Sequence, residues 1–270
     1  MATKHVVTGE HALKIGNRLA EIQRQVFLQK EYAHDPEDLI RHLQCATEGE
    51  FVGNEAKSTV GIAEPQIIIP NLRSIAPTLA DWLKAREELH KFFTGETIIL
   101  RDIFAFEEAD LDRTDIMPAF RPAGATNRDV VDWKKKLGVV VYEEADVMKY
   151  SGSTGSKESE LLLVNRSLCP DDDTLDDNAK TPDQLIQVPN RLWLHLFDWC
   201  DADNIHFVVT DEHLDLQTWT WFPHDRLPGG AVACGGWGPV NRGVYLYWGC
   251  RGYRGGLYGA RSTKKVPLKT

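Results

Sequence analysis

Four of the nine histidines, His195, His206, His213 and His224, fall in one stretch beside Asp215, Cys200 and Cys234. Imidazole gains and loses a proton near neutral pH and ligates metals, and a thiolate is the strongest side-chain nucleophile. Residues two apart on a strand share a face, so His213 and Asp215 would point the same way. With His206 from a neighbouring strand they make a set of two imidazoles and one carboxylate. That set suits iron and leaves positions open for substrate, and zinc takes the same donors. It implies a divalent metal such as iron or zinc as cofactor, with His206, His213 and Asp215 as ligands.

A thiol offers a second chemistry. Cys234 lies between Ala233 and Gly235, small neighbours expected to leave its sulfur accessible, while Gly235 and Gly236 could present backbone amides. The catalytic set on this reading is Cys234 as nucleophile with His195, His206 or His224 as its base, His195 and His224 being the candidates retained. Cys200 follows an aromatic-rich segment and reads as packing. The ordinary reading of all these residues is histidines satisfied at strand ends and cysteines in a core.

Two short stretches resemble known families. His213-x-Asp215 resembles the first part of the ligand motif of iron- and 2-oxoglutarate-dependent oxygenases, which implies a second histidine well downstream; the only later one is His224. Gly61, Ile62, Ala63, Glu64, Pro65 and Gln66 look like the Gly-Leu-Ala-x-Pro-Gln segment of peptide deformylases. That family also uses a Glu-Gly-Cys cysteine and a His-Glu-x-x-His helix, and neither occurs in this chain.

The stretch from Arg191 to Tyr258 also carries six of the eight tryptophans, a density that marks core or binding surface. Residues 229–238 are glycine-rich without Gly-x-Gly-x-x-Gly or a Gly-Lys-Ser/Thr ending, so no phosphate loop is indicated. Such glycines permit tight turns or close backbone approach to a ligand. Tyr245, Tyr247, Trp248, Tyr253 and Tyr258 could pave a pocket there. Alternation puts Tyr245 and Tyr247 on one face and Val244, Leu246 and Trp248 on the other. The aspartate run of residues 169–177 lacks the glutamate that a helix-loop-helix calcium site places at its twelfth position. The last twenty residues carry Arg251, Arg254, Arg261, Lys264, Lys265 and Lys269 with no acid, and residues 261–270 read as a solvated basic tail.

These residues need elements to position them. An amphipathic helix is expected over residues 9–32 and a second over 35–46, with a short extended run at 66–69. Thr78 with Asp81 and Thr126 with Asp129 stand at capping-box spacing, and Thr181, Pro182 and Gln184 open a short turn. Strands are expected at 97–100, 139–142, 161–164, 192–197, 205–210, 214–221 and 243–248, with a mobile loop over 149–160. Short turns between strands favour antiparallel pairing. The expected fold is α+β, with N-terminal helices packed on a mainly antiparallel β-sheet or partial barrel in the C-terminal half. It is read as a single domain over 1–270, helix-rich over 1–137 and strand-rich over 138–260.

Net charge is −9 over 270 residues, which makes nucleic acid an unlikely partner. No apolar run reaches the length of a membrane span, no signal peptide is evident, and the odd number of cysteines excludes complete disulfide pairing. A soluble, cytoplasmic protein is expected, with Cys234 and Cys250 the first pair to test for a disulfide. The functional expectation is an enzyme acting on a small molecule in a histidine- and aromatic-lined pocket, by hydrolysis, isomerisation or metal-assisted oxidation. The alternative is a non-catalytic protein that recognises carbohydrate or another flat ligand by Tyr/Trp stacking. Oligomeric state is left open.

Overall fold

The computed structural model describes residues 72, 77–143, 155–227, 229–238 and 242–269, all within the compact unit Pro65–Thr270. The expected helices at 9–32 and 35–46, the extended run at 66–69 and the Gly61–Gln66 segment lie outside the described residues.

Helix α1 spans Leu79–Thr94. Its N-terminus is closed by the expected box, in which Asp81 accepts the Thr78 N–H and Thr78 accepts the Asp81 N–H, and Gly95 ends it at φ 80°. Short helices α2 (Leu100–Ile103) and α3 (Glu108–Leu111) lead to strand β1 (Ile116–Arg121). The strand expected at 97–100 is therefore loop and the start of α2. Thr126 and Asp129 cap α4 (Asn127–Lys136), which precedes β2 (Val140–Glu143). Then come β3 (Glu160–Asn165), two single 3₁₀ turns over the aspartate run, α5 (Pro182–Ile186) and β4 (Leu192–Trp193). Helix α6 (Leu196–Thr210) is followed by β5 (Trp219–Arg226), β6 (Val232–Gly238), β7 (Gly243–Gly249), β8 (Tyr258–Gly259) and β9 (Ser262–Val266).

Among the described residues the strands form two open sheets and no closed barrel. One has the order β1-β3-β9-β4 and is antiparallel throughout. The other has the order β2-β7-β6-β5-β8, antiparallel in its centre, with β2 and β8 added in parallel at the edges. Turn length could not reveal these parallel edges. The strand pairs are far apart in sequence, and the intervening chain supplies the crossover that parallel pairing needs.

The main correction concerns residues 192–210. Two strands were expected there, separated by a polar corner at Asp198–Asn204, yet one helix runs through all but the first residues. Thirteen of its 15 residues are buried. Packed by α1, α4, β1 and β6, α6 has no solvent face and so no amphipathic period to read. Its carboxylates are internal and each meets a cation. Asp201 takes Arg86 of α1 through two bonds of 2.9 and 2.8 Å and also accepts the Phe120 N–H at 2.8 Å. Asp203 takes Lys134 of α4 at 2.6 Å. Asp198 lies 3.3 Å from Arg121 of β1.

Other local expectations meet the same packing. Residues 262–266, within the presumed basic tail, are β9, held between β3 and β4. Lys264 pairs with Asp110 and Glu107, Lys265 with Glu160, and Arg261 is 1% exposed. Of the loop expected to be mobile, residues 155–160 are described; Glu160 already begins β3, and Ser156 and Ser159 accept the N–H groups of Gly124 and Ala123. The rest lies outside the described residues. Among the described residues no helix is long and apolar enough to cross a membrane.

Removing one member of a buried ion pair strands the other charge, at a cost of about 3–5 kcal/mol, whereas an apolar replacement of both costs far less. Asp201→Ala is therefore expected to lower the free energy of unfolding by about that amount, and Arg86→Met with Asp201→Leu by less, as read from urea denaturation midpoints.

Candidate functional site

The structure brings His195 and His224 together and gives His206, His213 and Asp215 separate partners. His213 and Asp215 do not lie on a strand; they occupy the irregular link between α6 and β5, where Asp215 has φ 56°. Two-residue alternation does not hold there, and the two side chains serve different partners. His213 binds Asp203 through Nδ1 at 2.9 Å and is sandwiched between Phe207 and Trp237, with ring centroids 4.4 and 3.8 Å away. The Asp215 carboxylate is saturated by Arg261 at 2.6 Å, Trp199 Nε1 at 2.7 Å and the Thr220 hydroxyl at 2.6 Å. His206, on α6, donates its Nδ1 proton to the Glu212 carbonyl at 2.8 Å and stacks on Trp82. Its pKa is lowered, chiefly by burial. Among the described residues no group of three or more His, Cys, Asp or Glu could hold a metal ion.

Cys234 lies on β6 opposite Trp221 of β5 and Tyr247 of β7. It is 2% exposed, in an apolar cluster with Leu185, Trp193, Trp221, Val232 and Ala260. Its small neighbours do not open a path to the sulfur, because aromatic rings fill the space over the glycines. Any Cβ on Gly236 would strike Trp219, on Gly238 Tyr245, and on Gly249 Trp221. Cys200 is buried in α6, and desolvation pushes its thiol up to about 12. Cys250 carries a thiol, so the Cys234–Cys250 disulfide is not formed.

Two surface features emerge. The first is the face of the five-stranded sheet turned away from the main core. Val244 and Leu246 enter that core and Trp248 packs against it, so Tyr245 and Tyr247 emerge on the other face, as their alternation requires. There the rings run together without a break. Tyr142 stacks on Tyr245 at 4.6 Å, Tyr245 meets Tyr247 at 5.8 Å, and Trp219 touches Tyr247 at 5.0 Å and Tyr258 at 5.9 Å. Tyr258 continues to Trp221 and Tyr253. Trp221 is buried, Tyr142 is 40% exposed, and the others are half-buried. Tyr142 and Trp219 were not among the expected site residues. Tyr142 shares the exposed face of an edge strand with Val140, alternating with Val141 and Glu143, and that pattern was the available signal.

The second feature joins His195 and His224, whose ring centroids are 5.8 Å apart. His195 is the residue before α6, and its Nδ1 meets Asp225 Oδ1 of β5 at 2.8 Å. Burial lowers the pKa of His195, but the hydrogen bond and charge of Asp225 outweigh it, and the net shift is upward. His224 moves the other way through burial and the neighbouring His195. Asp198, whose carboxylate accepts the His195 N–H, is raised to about 6 by burial against the pull of Arg121. Asp225 and Arg121 are the partners that sequence reasoning missed. A carboxylate next in sequence to His224 was visible; its pairing across the fold was not.

The shallow depression lined by Pro77, Trp82, Ala85, Glu88 and Val209 contains none of the expected site residues. What the fold and these surfaces define is a globular α+β domain with aromatic clusters and buried charged and histidine residues. Searches against protein families, curated proteins and solved structures return no match to this chain.

In a proton NMR titration, the His195 ring signals are expected to move with a midpoint above the ordinary 6.5, and those of His206 and His224 below it. A raised folded-state pKa stabilises fully below the unfolded value, and that contribution is lost as pH rises through the folded one. Asp225→Asn should therefore flatten the decline of stability with pH just above 6.5 and bring the His195 midpoint down. An unmoved midpoint would show that Asp225 does not set it.

Proposed function

We propose that this chain is a small-molecule-binding protein that stacks a flat-faced ligand, a pyranose sugar in particular, on the aromatic face of the five-stranded sheet. The observation that carries the reading is the unbroken contact from Tyr142 through Tyr245, Tyr247 and Trp219 to Tyr258. Apolar C–H faces of a sugar ring pack on such rings, while phenol and indole edges offer polar groups to its hydroxyls. Glycines at 236, 238, 243 and 249 let neighbouring rings lie flat against the backbone. A surface set by backbone contact keeps its shape when empty, which lowers the entropy lost on binding.

Several features favour sugar stacking over reaction in one shared hollow. Two of the four imidazoles, His206 and His213, are buried among aromatic rings, and the Asp215 carboxylate has partners on both oxygens. Arg254, the nearest of the terminal cations in sequence to Tyr253, is bound to the Asp177 carbonyl at 2.7 Å. With a net charge of −9, the chain favours an uncharged ligand over a polyanion.

Titration with a panel of neutral mono- and oligosaccharides, followed by tryptophan fluorescence and by tyrosine ring signals in NMR, tests the reading. Binding should perturb Trp219, Tyr245 and Tyr247 together. Trp219→Ala should weaken it about tenfold or more, close to 1.4 kcal/mol, without changing the midpoint of thermal unfolding by more than a few degrees. Saturable binding that leaves all three rings unperturbed would place the ligand elsewhere. No binding across the panel would remove the sugar reading.

A further inference from the structure

His195 is held from within. Asp225 is 2% exposed, and its two oxygens accept from His195 Nδ1 at 2.8 Å and from the Leu196 N–H at 2.6 Å. Both Asp225 oxygens serve as acceptors, so Nδ1 is the nitrogen that donates and Nε2 the one that bears the lone pair. The imidazole is 37% exposed. With the Nδ1 edge against a buried partner, the exposed edge is the one that bears Nε2. Such a ring is fixed in tautomer and in direction while its basic nitrogen meets water.

We propose that His195 is the general base of a second, hydrolytic site that cleaves small uncharged carboxylic esters, with Asp225 as its positioning residue. The groups that face it come from three elements: Asp198 on α6, Arg121 on β1, and His224 and Asp225 on β5. Arg121 is balanced by Asp198 at 3.3 Å, and protonated His195 would be balanced by Asp225. The cluster carries no surplus positive charge to select an anion, which is why a neutral ester fits. In the first step Nε2 takes a proton from water as the water oxygen bonds to the acyl carbon. The tetrahedral intermediate then expels the alkoxide: the ester C–O bond breaks, and the proton on Nε2 passes to the departing oxygen. One ester and one water give one carboxylic acid and one alcohol, and His195 returns to its starting state. A base whose pKa lies near the working pH is matched to this transfer.

The site is independent of the aromatic face, and its test is separable from that of sugar binding. The probe is 4-nitrophenyl acetate, with nitrophenolate release followed from mildly acid to mildly alkaline pH in H₂O and in D₂O. The rate is expected to rise through the midpoint measured for His195 by NMR in the same sample and to be slower in D₂O. His195→Ala and His195→Gln should each lower it about 100-fold or more. Asp225→Asn should move the pH midpoint down together with the His195 NMR midpoint. The proposal is overturned by a wild-type rate no greater than that of an equal concentration of free imidazole, or by a folded His195→Gln as fast as wild type. Equal rates in the two solvents would also overturn it, because they indicate acyl transfer to the ring in place of proton transfer from water.

Discussion

The structure depends on the neutralisation of the carboxylates buried in α6. Asp198, Asp201 and Asp203 lie within one and a half turns of a helix that water does not reach, and an isolated carboxylate in that setting is too costly to keep charged. Each is met by a cation from a different element: Arg121 from β1, Arg86 from α1 and Lys134 from α4. Asp203 shows the balance most directly. Burial raises its pKa, Lys134 and His213 lower it, and the lowering wins. The three pairs fix which elements surround α6 and at what height along it. Apolar contacts alone would tolerate sliding; a guanidinium with two bonds to one carboxylate does not.

The same pairs explain which parts of the fold were legible in the sequence. Capping signals at Thr78, Thr126 and Thr181 are local, a side chain answering an amide three residues away, and each marks a helix start in the structure. The strands at 140–143, 160–165 and 243–249 were also legible, because β-branched and aromatic residues cluster in the first and last and a short apolar run, Leu161–Val164, stands between polar residues in the second. The α+β class and the mainly antiparallel sheets follow from those elements. Helix α6 was not legible. Asp198, Asp201 and Asp203 look like a solvent-exposed corner until their partners are known, and those partners lie 69 to 115 residues away in sequence for Asp203 and Asp201. Strands at Leu192–Phe197 and Ile205–Thr210 follow only when long-range charge pairs are taken for local polarity.

The candidate site was legible to a similar degree. Alternation along β7 placed Tyr245 and Tyr247 on a common face, a property of one strand that needs no partner. The glycines of β6 have a different meaning from the one their clustering suggested. They are the seats of rings from β5 and β7, and the space that would have given access to Cys234 is occupied by those rings. A glycine-rich strand flanked by aromatic strands thus produces a flat, filled surface where a glycine-rich loop would produce a hollow.

The fate of each imidazole follows from its distance to the centre of the fold. His206 is part of α6 and His213 packs directly on it, and both surrender a ring nitrogen to the interior, one to a carbonyl and one to a buried carboxylate. His195 stands one residue before the helix begins. Its backbone N–H is taken by Asp198 and its Nδ1 by Asp225, so the interior fixes the residue as firmly as it fixes the other two. The difference is that the chain turns at this point, and the far edge of the ring is left in water. Rigidity and solvent access are normally in conflict for a long side chain on a loop; at the residue that caps a buried helix both are met, because the helix supplies the anchor and its end supplies the opening.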